Sequence, residues 1–158
     1  MECLIKPVLR ALQDAGLAAV EAMPCSPMPR LKGAACAVRL LSAEGGAYQY
    51  LGIVQTPDQG AQALYGRQLH ARIQIRIFSP TDTGGAGCSA AAERVCCLLT
   101  GGIAGLSVTG FTVDACAYDA KSDCFACPVT ADVSAYVYAT PSADGTGFTD
   151  FTLKGTIV

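Results

Sequence analysis

Residues 67–78, RQLHARIQIRIF, alternate without a break between apolar and polar side chains. Leu69, Ala71, Ile73, Ile75 and Ile77 fall on one face of an extended chain, and Gln68, His70, Arg72, Gln74 and Arg76 on the other. Period-two alternation over this length specifies a strand whose one face is buried and whose other face is wet. Antiparallel sheets show that pattern, whereas parallel sheets are apolar on both faces. Each branched side chain on the buried face contributes roughly 1.5–3 kcal/mol when fully covered. This strand therefore needs a cover on one side, and the rest of the chain must supply it.

On the N-terminal side, Leu4, Ile5, Val8, Leu9 and Leu12 have the spacing of one helical face, which predicts a helix over 3–15 with Gly16 as its stop. Pro7 fits that helix if it lies in the first turn, where its missing N–H is not needed. Residues 23–30, MPCSPMPR, hold three prolines and predict an irregular connection. Residues 34–42 and 47–54 read as a hairpin turned at Ala43-Glu44-Gly45-Gly46, and 55–66 as a polar loop or short helix.

On the C-terminal side, SPTDTGGAG (79–87) reads as a flexible polar loop. A second helix is predicted from about Cys88 to Thr100, stopped by Gly101-Gly102, with a stripe of small residues that permits close approach to a sheet. Strands over 106–118 and 125–139 follow, joined by the polar tip DAKSD (119–123). PSADGTG (141–147) is a further turn, and 148–157 a last strand or extended arm. Two helices on one face of a mainly antiparallel sheet make an α+β fold. With no linker or repeat, residues 1–158 read as one domain, with 141–158 a candidate C-terminal strand or arm.

Composition bounds function. At 158 residues a single core buries roughly 70% of the unfolded surface, so no metal or cross-link is needed for stability. Hydrophobic residues make up 51% of the chain and charged ones 15%, against a usual charged share of about 25%. So little charge favours a surface partly covered by neighbours. The net charge of −2 provides no basic field to draw the protein onto nucleic acid. Lys6, Arg10 and Asp14 interrupt any signal-peptide core, and no stretch is long and apolar enough to span a bilayer, so the expectation is a soluble protein made in the cytoplasm.

Candidate chemistry is sparse. Nine cysteines (Cys3, Cys25, Cys36, Cys88, Cys96, Cys97, Cys116, Cys124, Cys127) lie mostly in apolar runs and read as reduced core filler. Cys124-Phe125-Ala126-Cys127 is a CxxC, but zinc needs four ligands and a redox pair needs a helix N-terminus. His70 is the single histidine, and no acidic residue near it in sequence would orient it as a base. TDTGGAG (81–87) has neither phosphate-loop signature. The strand row of Arg67, His70, Arg72 and Arg76 has no aromatic residue interleaved for stacking nucleic acid. No catalytic, cofactor or metal residues are assigned, and the expectation is not an enzyme.

The order of elements resembles the tail terminator family of bacteriophages and prophages, with the related neck and tail-completion proteins. The matching segments are LIKPVLRALQDAG (4–16), LHARIQIRIF (69–78), SPTDTGGAG (79–87), CSAAAERVCCLLTGG (88–102) and FTVDACAYDAKSDCFACPVTADVSAYVYAT (111–140). The resemblance implies a virion protein made in the bacterial host cytoplasm and then built into the tail or neck. It implies a homo-oligomeric ring, usually six copies, that caps the tail tube and joins it to the head-tail connector, with DNA as passing cargo and no membrane partner. A ring needs head-to-tail interfaces that close on themselves. Gln68, His70, Arg72, Gln74 and Arg76 are the candidate subunit-contact residues. The alternative is a small module that binds a ligand or nucleic acid on the same polar sheet face.

Overall fold

In the computed structural model, which describes residues 2–22, 30–56, 60–139 and 151–154, the alternating segment lies at the centre of the sheet. It belongs to β3 (Gly60–Pro80), flanked by β2 (Ala35–Thr56) and β6 (Cys124–Ala139), both antiparallel to it. The strand order is β1-β2-β3-β6-β4, with β1 (Ala18–Glu21) parallel to β2 at one edge. The far side of β6 is shared by β4 (Ser107–Val113), β5 (Ala117–Asp119) and β7 (Phe151–Lys154), all antiparallel to it. The fold is α+β with a mostly antiparallel, mixed sheet.

Ile73, Ile75 and Ile77 are essentially inaccessible and form the floor of the core with Cys36 and Val38 of β2 and Val129, Ala131 and Val133 of β6. Two helices roof that face. Helix α1 (Glu2–Asp14) contributes Leu4, Ile5, Val8 and Leu12, and α2 (Gly84–Gly101) contributes Cys88, Ala91, Ala92, Val95 and Leu99. The alanines and cysteine of α2 let its axis lie close to the sheet. On the opposite face a small patch of Leu31, Ala37, Phe78, Cys124 and Ala126 closes one end of the sheet.

Helix α1 ends as its sequence predicts. Gly16 takes φ 74, its N–H reaches Gln13 O at 2.8 Å, and Leu17 N–H reaches Leu12 O at 3.0 Å. That is a Schellman cap, with Leu17 buried against the core. Pro7, however, is past the first turn, because the helix begins at Glu2. The hydrogen bond it forgoes is the one to the carbonyl of Cys3, a residue exposed at the start of the helix.

Four expectations need correction. The hairpin over 34–42 and 47–54 does not exist: 35–56 is one strand, paired along its length with β3. Glu44 lies opposite His70, and Gly45-Gly46 serve a bulge, one of three register shifts that let this long strand coil. Residues 60–66 are strand rather than loop or helix, and 57–59 lie outside the described residues. The 79–87 loop shrinks to a turn at 81–83, because Ser79 and Pro80 complete β3 and α2 starts at Gly84. Ser79 is fully buried, and its hydroxyl meets Thr83 Oγ1 at 2.9 Å. Finally, the strand expected over 106–118 is broken at 114–116, the stretch that faces Cys127 and Pro128 of β6.

At the C-terminus, β7 supplies the expected last strand, pairing with residues 136–139 of β6. Most of the Pro-rich segment (23–29) and the turn at 141–147 lie outside the described residues. Gly66 marks where the central strands press closest. A Cβ there would lie 2.2 Å from Val137 O and 2.8 Å from Leu51 Cδ1. Gly66→Ala is expected to destabilise by about 1–3 kcal/mol through overpacking, read as a lower urea midpoint. An unchanged midpoint would mean that β3 and β6 are not in this register.

Candidate functional site

The wet face of the sheet is where the sequence places the candidate residues. Gln68, His70, Arg72, Gln74 and Arg76 all project from β3 on the side away from the helices, since the alternate residues Ala71, Ile73, Ile75 and Ile77 face the core. The structure therefore brings all five together in one row. It also shows what they face, which sequence spacing could not. Across β6 they oppose Tyr136, Ser134, Asp132, Thr130 and Pro128, and across β2 they oppose Glu44, Ser42, Arg39 and Ala37.

These cross-strand neighbours tie up the arginines. Arg72 Nε donates to Asp132 Oδ1 at 2.8 Å, with Nη2 3.4 Å from Oδ2. Arg76 Nη2 donates to Asp119 Oδ2 at 2.9 Å, and its guanidinium lies 5.0 Å above the Phe78 ring. Arg39 Nε donates to Gln74 Oε1 at 2.8 Å. The Lys121 backbone N–H, with help from Ser122 and the Arg76 charge, holds the Asp119 carboxyl below its ordinary value. The Asp132 bond pushes the Arg72 guanidinium still further toward its charged form. Both ion pairs are open to solvent, the Arg72 pair more than the Arg76 pair, so screening leaves each a small contribution to stability. Their effect is on charge. Arg39, Arg72 and Arg76 are balanced by Glu44, Asp119 and Asp132, so the face carries no basic field for phosphates.

His70 has chemical neighbours that its sequence surroundings do not reveal. In register it lies between Glu44 of β2 and Ser134 of β6. This row has the residue types of an acid–base–nucleophile set. Ser134 is buried, though, and no hydrogen bond joins the three among the described residues. A base and nucleophile must be within hydrogen-bond reach to act together. An open depression beside His70 is lined by Ser42, Glu44, Arg72, Thr109 and Asp132.

The CxxC resolves by strand geometry. Cys124 lies opposite Pro80 and belongs to the wet-face patch, while Cys127 lies opposite Ile77 and belongs to the main core. Their thiols point to opposite sides of the sheet and cannot meet on one metal or close a disulfide. Cys127 Sγ instead donates to Asp114 O at 3.4 Å, and Cys124 Sγ to Ser122 Oγ at 3.0 Å. Gly84, Gly85 and Gly87 lie in the first turn of α2, where a Cβ on Gly85 would be 3.9 Å from Cys116 and Phe125 and one on Gly87 would run into Ser79 Oγ.

A second feature was missed in the sequence. Beyond the helices, β2 and β3 continue as a two-stranded ribbon bearing Tyr48, Tyr50, Tyr65 and Ile53, all largely exposed. Tyr48 and Tyr65 stack at 6.1 Å, Tyr50 meets Tyr65 edge-on at 5.6 Å, and the Arg67 guanidinium lies 6.0 Å over Tyr48. Arg67, expected in the polar row, instead lies on the helix-side face opposite Tyr48, where its Nη1 donates to Gly46 O at 2.9 Å. The signal was present in the sequence: Tyr48 and Tyr50 alternate like Ile73 and Ile75, and so do Tyr65 and Arg67.

No protein-family model matches the chain, and no curated protein matches it in sequence. Among the described residues no helix is long and apolar enough to cross a membrane.

Proposed function

We propose that this chain is a structural virion protein of a phage or prophage, similar in role to a tail terminator. Copies of it form a ring, six in the expected case, that caps the tail tube and joins it to the head-side connector. In this reading it is not an enzyme, needs no cofactor or metal, and meets DNA only as passing cargo. The observation that carries the reading is the β2–β3 ribbon, a long two-stranded arm with bare aromatic side chains on a chain with little charge. Solvated monomers rarely keep such a contiguous apolar surface uncovered. The two helices over one face of an antiparallel sheet agree with the layout of the resembling family. The charge-paired wet face suits contacts with other subunits better than it suits a nucleic-acid platform. A second reading, a small-ligand module, rests on the depression beside His70, and saturable calorimetric binding there without assembly would favour it.

The test is assembly with tail tube subunits, viewed by electron microscopy and light scattering. Rings alone, or tubes capped at uniform length, are the expected result. A strict monomer under both conditions would remove the reading. The wet-face row enters the same assay through Gln68 and His70, whose side chains have no hydrogen-bond partner among the described residues. Gln68→Ala and His70→Ala are expected to leave the folding midpoint within about 0.5 kcal/mol of the parent and to weaken assembly. Full assembly by the double variant would take these residues off the contact surface.

A further inference from the structure

We infer that the β2–β3 ribbon of one copy joins the open β4 edge of the next, so that copies assemble head to tail through strand addition. The inference rests on the ring-forming reading and names the surfaces that form it.

The ribbon stands clear of its own fold. β6 pairs only with residues 66–80 of β3, so among the described strands 61–65 pair with β2 alone. Helix α2 has 18 residues, about 27 Å at 1.5 Å per residue, which covers only about eight strand residues at 3.3 Å each. It leaves Pro80 and is spent by the middle of β3. The rest of the ribbon, toward Gly60, has no described helix above it. Its helix-side face is the core face continued, now with Tyr48, Tyr50, Tyr65 and Ile53 in place of buried isoleucines.

Two strand edges have no described strand against them. β1 covers β2 only at residues 35–38, and from Arg39 onward no described strand pairs with the outer edge of β2. At the other side of the sheet, β4 is terminal, with no described strand on its outer edge. Phe111 and Val113 of β4, opposite Ala131 and Val129 of the core face, are exposed there, and Tyr118 of β5 is exposed nearby. Neither strand carries proline or lysine at the open stretch, the residues that usually guard an edge. The bulges of β2 do limit pairing, leaving 52–56 as its last uninterrupted run, and β4 has a matching short run at 110–113.

The occupant follows from pairing these surfaces. Adding β2 of one copy to β4 of another extends the sheet and aligns the two helix-side faces. Tyr48, Tyr50 and Ile53 then lie beside Phe111 and Val113. Residues 45–66 contain a single charge, Asp58, and 103–113 contain none, so copies with a net charge of −2 meet without local repulsion. Area decides that both features are needed. Three tyrosines roughly half exposed hold on the order of 300 Å² at about 200 Å² per ring, short of the 800 Å² or so per partner in a stable interface. The strand edges supply the remainder. Each copy has one ribbon and one receiving edge, the requirement for a contact that repeats and closes.

The experiment is mixing of two dead-end variants, followed by sedimentation velocity. Tyr48→Glu/Tyr50→Glu disables the ribbon, and Phe111→Glu/Val113→Glu disables the edge. The parent is expected to form the closed oligomer, each variant alone is expected to lose every species above monomer, and an equal mixture is expected to stop at a heterodimer. Circular dichroism checks that each variant folds. Should one not fold, benzoylphenylalanine at Tyr50 of the otherwise unaltered chain must crosslink to the peptide holding Phe111 of an isotopically heavy copy. Variants that oligomerise like the parent, or a crosslink elsewhere, overturn the inference and leave the ring reading standing. A parent that stays monomeric at all concentrations, and with tube subunits, overturns both.

Discussion

Replacing Ile75 with alanine is expected to destabilise the protein by about 2–5 kcal/mol, while Gln74→Ala, one residue away, costs no more than about 1 kcal/mol. The contrast comes from strand geometry. Ile75 is fully buried at the centre of the sheet, with Val38 of β2 on one side and Val129 of β6 on the other, also fully buried. Truncation removes the transfer energy of the lost methyl and methylene groups and leaves a cavity that the β-branched Val38 and Val129 cannot collapse to fill. Gln74 faces water and offers only an acceptor for Arg39. Urea unfolding of both variants reads the difference directly. A cost below about 1 kcal/mol for Ile75→Ala, or equal costs at the two positions, would contradict a sheet that is dry on one side and wet on the other. Arg72 and Arg76 serve this comparison less well, because their ion-pair partners would confuse the wet-side measurement.

That central strand was legible because its signal is local: each side chain's burial is announced by its immediate neighbours. Helix α1 and its Gly16 cap were legible for the same reason. The hairpin was misplaced because Gly45-Gly46 gives the same local signal as a turn, and only the partner strand decides between a turn and a bulge. With β3 alongside, the glycines are absorbed as an irregularity and the chain runs on. Strand β1 left no signal, since four residues reading AAVE have neither alternation nor length. The wet face shows the same division. Its five β3 residues follow from period two alone, but the carboxylates that neutralise Arg72 and Arg76 come from positions sixty and forty-three residues away. Such partners are set by strand register, which no local pattern encodes. Glu44 beside His70 is the sharpest case, because the misread turn had placed it at a hairpin tip.

The cysteines allow a large effect to be read from chemistry rather than stability. Cys36 and Cys88 are expected to resist alkylation in the native protein at least 100-fold more than Cys97, which is exposed. The thiolate is the reactive species, and burial pushes the Cys36 thiol up to about 11 from an ordinary 9.0. Two pH units of displacement lower its thiolate share about 100-fold near neutral pH, before the barrier of access is added. Burial, reinforced by the neighbouring Cys116, pushes Cys88 up to about 12. Its Sγ donates to Phe125 O at 3.4 Å, a bond that also favours the protonated form. Folded-state values above the unfolded ones have a definite sign in stability. Below about pH 9 both states hold these protons and the contribution is complete. Above it the unfolded chain ionises first, so stability falls as pH rises toward 11 and 12. Cys36→Val keeps the apolar packing and removes one titrating group, so its urea midpoint should fall less steeply with pH than the parent's in that window. Mass spectrometry after brief iodoacetamide exposure gives the site-by-site rates. Native labelling of Cys36 or Cys88 as fast as Cys97 would mean that α2 does not seal this side of the sheet. The core beneath the helices would then be open to solvent, and the aromatic ribbon could no longer be singled out as the apolar surface left bare.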